Sequence, residues 1–96
     1  MLGEARAARD LDQDTLERRR DLLGHNHPET LKSASNLAAD LRALGEARAA
    51  RDLDQDTLAR RRHVLGHEQP DTLSSARNLA LDLSALGQET DGPQDR

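Results

Sequence analysis

The side chains able to do chemistry come in two matched sets, and each set must be read on the element that carries it. Asp10, Asp12 and Asp14 stand at alternate positions, with Asp21 eleven residues after the first, in the outline of a calcium loop. Such a loop needs a glycine at its sixth position, where this chain has Thr15. On a helix, residues two apart point in different directions, so these carboxylates do not converge and read as a solvated face. His25, His27, His63 and His67 raise the possibility of a metal. His63 and His67 are four apart, but Gly66 ends the helix between them and spoils the single face that a zinc-binding histidine pair uses. No further ligand completes a set of four, so no metal and no cofactor is expected. Histidines at helix C-termini are favourable partners of the helix dipole.

Arg18-Arg19-Arg20 and Arg60-Arg61-Arg62 have the look of anion patches. Asp14 and Asp56 sit one turn before Arg18 and Arg60, in the favourable acid-before-base order. By helical angle, Asp12 and Arg19 fall within the apolar arc, as do Asp54 and Arg61. These four are expected to form ion pairs between stacked helices, setting register more than adding stability. A further polar ladder runs through Lys32, Asn36 and Asp40, and again through Ser74, Arg77, Asn78 and Asp82, and by itself reads as a solvated face. Ser33, Ser35, Ser74, Ser75 and Ser84 have no placed base. There is no cysteine, no phosphate-cradling glycine loop and no nucleophile elbow, so no enzyme activity is expected.

The elements that position these residues are themselves repeated. Residues 44–85 restate residues 2–43 without insertion or gap, differing at ten positions so that 32 of 42 residues are identical. A third copy opens at Leu86-Gly87 and stops. A fixed period of this length marks a stacked array in which each unit buries its apolar face on the next. Good helix formers run from Glu4 to Leu23, where Gly24 closes the helix. Ala8, Leu11, Thr15 and Leu22 lie along one side of it, with Leu16 and Leu23 beside them. Pro28 opens the next helix at its first position and Glu29 suits its positive end. Leu31, Ala34, Leu37, Ala38, Leu41 and Leu44 form that helix's apolar stripe. Leu73, Ala76, Leu79, Ala80, Leu83 and Leu86 repeat it. Gly45 is a weak break, since one glycine costs only about 1 kcal/mol inside a helix. The reading is all-α, with four helices over about 4–23, 28–44, 46–65 and 71–86, antiparallel where connections are short. The helical domain spans 1–87, and the polar tail 88–96 is expected to be disordered.

Ninety-six residues make one small domain, and with 34% hydrophobic residues and no aromatics its core must be built from Leu and Ala. A net charge of −4 and the lack of stacking aromatics argue against a nucleic-acid partner. No apolar run approaches the length of a membrane span and no signal peptide opens the chain, so a cytoplasmic protein is expected. The preponderance of Arg over Lys, with much Ala, Leu, Asp and Gly, points to a GC-rich bacterial coding sequence.

The stretch Asn36-Leu37-Ala38, Leu41, Leu44-Gly45-Glu46 and Ala50 resembles the tetratricopeptide repeat, as does Asn78-Leu79-Ala80 through Leu86-Gly87. The 42-residue period and the Pro-Glu/Asp-Thr-Leu opening are similar to its long kinesin-light-chain type, found in bacterial repeat proteins. The resemblance covers residues 2 to about 87 and implies an α-solenoid fragment of helix-turn-helix units. It also implies that the ladder of Lys32, Asn36, Asp40, Ser74, Arg77, Asn78 and Asp82 lines a concave groove, where Asn36 and Asn78 would bond a peptide backbone. The aromatic of the family after the glycine turn is Ala5 in one copy and Ala47 in the other, which implies a softer interface within the unit. In the family's frame the chain begins on a second helix and ends on a first helix. The expected function is therefore a protein-interaction module that stacks on copies of itself, as a closed dimer or an open filament, and presents the groove to a peptide. A helix fused across Gly45 would allow partner exchange between chains. The alternatives are a purely structural self-assembling element and an excerpt of a longer array.

Overall fold

A computed structural model describes residues 2–89. Four helices follow one another: α1 (Leu2–Leu23), α2 (Pro28–Ala43), α3 (Ala47–Leu65) and α4 (Pro70–Glu89). No strand occurs among the described residues. Pro28 and Pro70 each occupy the first helical position, where a missing N–H leaves no bond unmade. His27 caps α2: its Nδ1 accepts a hydrogen bond from the Glu29 backbone N–H at 3.1 Å. That role, at a helix start, differs from the C-terminal dipole role its sequence position suggests.

The break at Gly45 is firmer than one glycine implies. Gly45 sits at φ +83°, a left-handed conformation that only glycine adopts cheaply. It lets the Glu46 N–H donate to the Leu41 carbonyl at 2.8 Å and the Gly45 N–H to the Arg42 carbonyl at 3.0 Å. This paired closure satisfies the end of α2 and turns the chain back, so α2 and α3 form a hairpin and not one fused helix. Gly87, by contrast, lies inside α4, which continues three residues beyond its expected end. With no proline until position 93, a single glycine does not suffice to stop it. Residues 90–96 of the expected disordered tail lie outside the described residues.

The helices pack in chain order, α1 on α2, α2 on α3 and α3 on α4. α2 also touches α4 in one layer, whereas α1 and α3 in the other layer do not meet. The slab measures 45 × 35 × 17 Å.

α2 is covered on two sides, and its stripe is buried accordingly. Leu31, Ala34, Leu37 and Ala38 are all out of water, and Leu16 of α1 joins Ala34 and Leu37 in a cluster flanked by Leu41 and Leu53. Ala47 and Ala50 are fully buried where α3 crosses α2. The stripe expected on α1 is corrected: Leu16 is buried, but Leu11, Leu22 and Leu23 are exposed, because only α2 covers this helix. Leu58 of α3 is buried as well, and the rest of the interior is polar. Thr30, Thr57, Thr72, Ser33 and Ser75 are buried at the helix crossings, and the Thr30 hydroxyl donates to the Arg19 carbonyl at 3.2 Å.

Candidate interaction surfaces

The α1–α2 and α3–α4 hairpins are each closed by a clasp near the turn. The Arg19 guanidinium of α1 donates to Ser33 Oγ at 2.9 Å and to the Glu29 carbonyl at 3.2 Å on α2, with the Glu29 carboxylate 3.5 Å away. Arg61 of α3 repeats this on α4, donating to Ser75 Oγ at 2.9 Å and to the Asp71 carbonyl at 3.1 Å. The clasp uses the end of one helix and the start of the next, which a short turn brings together. Replacing Arg61 with Met keeps the apolar stem and deletes both bonds. The four helices should persist while stability falls by about 2 kcal/mol, read by chemical denaturation.

Two turns back along each helix, a pair of carboxylates meets. Asp12 of α1 faces Asp40 of α2, and Asp54 of α3 faces Asp82 of α4. Asp54 and Asp82 are essentially inaccessible to water. Loss of hydration, with the neighbouring Asp82 acid next, pushes Asp54 up to about 8; Arg42 and Arg61 pull the other way. Asp40 is raised to about 6 by the same causes, burial first and Asp12 second, with no cation in opposition. Two like charges at such range cannot both be ionised cheaply, so each pair holds a proton to higher pH than a lone carboxylate, Asp40 up to about 6 and Asp54 up to about 8. The inner pair has a third member. Arg42 of α2 reaches Asp82 Oδ1 at 2.6 Å, Asp54 Oδ2 at 3.6 Å and the Asn78 carbonyl at 3.5 Å.

Of the four residues expected in ion pairs between helices, Arg19 and Asp54 have them and Asp12 and Arg61 do not. The cation of Asp54 is Arg42, Arg19 turns to Glu29, Arg61 donates to a hydroxyl and a carbonyl, and Asp12 faces another acid. Asp12 and Arg19 lie seven residues apart, about 10 Å along the axis, so they meet different levels of the neighbouring helix. The groove ladder is also narrowed. Asp82 is buried beneath Arg42 and Asp40 is half-buried against Asp12, so neither stands on the open face. Lys32, Asn36 and Arg77 are exposed; Ser74 and Asn78 are half-exposed, with Arg77 donating to Ser74 Oγ at 3.1 Å. Arg42 is the residue that sequence reasoning missed. The available signal was that positions 42 and 84 are among the few that differ between copies, as Arg and Ser.

On the outer surface, Arg18 and Arg60 pair with Asp14 and Asp56 at 3.1 and 2.8 Å. Among the described residues no three His, Cys, Asp or Glu side chains group to hold a metal, and no helix is long and apolar enough to cross a membrane.

Helix pairs of a 42-residue period, turned at glycine and stacked in two layers, form a helical repeat array. A tetratricopeptide-repeat family model covers residues 1–29 and 30–71. The chain belongs to the tetratricopeptide repeat family. Compared with curated proteins it finds no match. Tetratricopeptide repeats serve generally as protein–protein interaction scaffolds without catalytic chemistry of their own.

Proposed function

We propose that this tetratricopeptide chain is an interaction scaffold that associates with itself end to end, α4 of one copy seating on α1 of the next. One observation carries the reading: α4 repeats α2, yet the face that α3 covers on α2 is bare on α4. Leu31 is 3% exposed and its counterpart Leu73 47%. Ala38 is buried and its counterpart Ala80 exposed. The complementary face is bare on α1, which repeats α3. Leu53 packs on the core, while its counterpart Leu11 is 67% exposed. The α2–α3 contact therefore supplies the template for an α4–α1 contact between copies, with Ala5, Ala8, Leu11, Asp12 and Thr15 standing for Ala47, Ala50, Leu53, Asp54 and Thr57. Such a head-to-tail contact closes into a ring or runs into a filament according to its rotation.

Charge supports the same register. Within the chain, Arg60 of α3 donates to Asn26 Oδ1, in the turn between α1 and α2, at 2.9 Å. One period on, Asn26 becomes Glu68, so the joint between copies sets Arg18 against a carboxylate. The layer of α2 and α4 carries Lys32, Asn36, Ser74, Arg77 and Asn78, all at least partly exposed, which we assign as the peptide-facing surface of the scaffold.

Leu11→Asp and Leu83→Asp test the joint, since both side chains are exposed and neither change disturbs the fold of one copy. The parent chain should sediment as a concentration-dependent oligomer and each variant as a monomer. An equimolar mixture should form a 1:1 heterodimer, because each variant keeps the face that the other has lost. A mixture that stays monomeric while the parent assembles excludes this interface.

A further inference from the structure

We propose that the joint between copies is acid-gated: it covers the Asp12–Asp40 pair opposite Ser84, where the joint inside the chain sets Arg42, and so takes up a proton as it closes. The inference rests on the end-to-end reading and concerns its regulation. Inside the chain, the α2–α3–α4 step buries Asp54 and Asp82 and balances them with the Arg42 guanidinium, 2.6 Å from Asp82 and 3.6 Å from Asp54. Translated by one period, the same step between copies brings α4 of one copy against α1 and α2 of the next. Asp12 and Asp40 then occupy the places of Asp54 and Asp82, and Ser84 occupies the place of Arg42. A serine hydroxyl can bond a carboxylic acid but brings no charge to offset a second carboxylate.

The groups around Asp40 give it no other counter-charge. From α1 it faces Asp12, the one charged group that acts on it. On α1, Arg9 is engaged by Asp10 and Glu46, and Arg19 by Ser33 and Glu29. On its own helix, Arg42 reaches away toward α4. No cation of α3 bears on it, since the arginine of that helix near an acid pair, Arg61, acts on Asp54. Already half-buried in the free copy, Asp40 binds its proton at about pH 6. Covering it removes more water and moves it further in the same direction. The assembled form thus holds a proton that the free copy releases above about pH 6. Association strengthens as pH falls toward 6 and levels off below it, where the free copy is already protonated.

The dissociation constant, measured by sedimentation at pH 8, 7 and 6, should tighten up to about tenfold per pH unit, the limit for one linked proton. Ser84→Arg restores the guanidinium: it should bind more tightly at pH 8 and flatten the slope. Asp40→Asn, neutral at every pH, should also flatten it. A slope that persists in Asp40→Asn belongs to the histidines or to the net charge and overturns the proposal, as does a parent chain that associates equally at pH 6 and 8. Neither result touches the joint itself, which the Leu11→Asp and Leu83→Asp mixture decides separately.

Discussion

Replacing Arg42 with Met should lower the unfolding free energy by about 3 kcal/mol at pH 8, the low end of the cost of stripping one partner from a buried ion pair. The low end applies because the Arg42 side chain keeps some contact with water, 23% exposed against 0% for Asp82. Methionine retains the apolar stem, so the loss reports the guanidinium and not a cavity. Without it, Asp82 loses its 2.6 Å partner and Asp54 its only ion pair among the described residues. The deficit should be smaller at pH 5, where Asp54 is fully protonated and needs no counter-charge. Denaturant unfolding at the two pH values reads the effect. A loss below about 1 kcal/mol at pH 8 would show the pair is neutral without its arginine.

The same pair gives the chain an inverted pH profile. Asp54 has its ordinary value of 3.8 when unfolded and is pushed up to about 8 in the fold, mainly by burial. Between these values the folded chain holds a proton that the unfolded chain releases, so stability declines as pH rises. It is greatest with respect to this group below pH 3.8 and lost progressively up to about 8. The melting temperature should therefore be lower at pH 8 than at pH 5. Asp54→Asn should remove most of that slope. Its amide supplies the donor that Asp82 Oδ2, without a hydrogen-bond partner, otherwise obtains only from a protonated Asp54. The variant should be more stable than the parent at pH 8 by about 1 kcal/mol or more. An unchanged slope in Asp54→Asn would place the dependence elsewhere.

Both predictions rest on contacts between residues far apart in the chain, and that separation explains what could be read beforehand. The helices were legible because their limits are local: Pro28 and Pro70 start them, Gly24, Gly45 and Gly66 turn the chain, and the apolar spacing of Leu31 to Leu41 marks one face. The stripe of α1 was only partly legible, because helical spacing says which residues share a face but not whether another helix covers it. Leu16 has a cover and Leu11 has none. No local pattern marks Thr30 and Thr72, yet they are buried, with hydroxyls that reach the carbonyls of Arg19 and Arg61 on the preceding helix.

The sequence by itself determined the period, the helix limits and the order of stacking, since propensity, proline, glycine and repetition all act over a few residues or one unit. Only the tertiary structure decided which charges meet across helices, beyond the local pairs of Arg18 with Asp14 and Arg60 with Asp56. Asp54 finds Asp82 and Arg42, and Asp82 leaves the groove for the interior, because those encounters depend on how far each helix slides along the next. Helical angle narrows a side chain to a sector; the axial level at which two helices cross selects its partner within that sector.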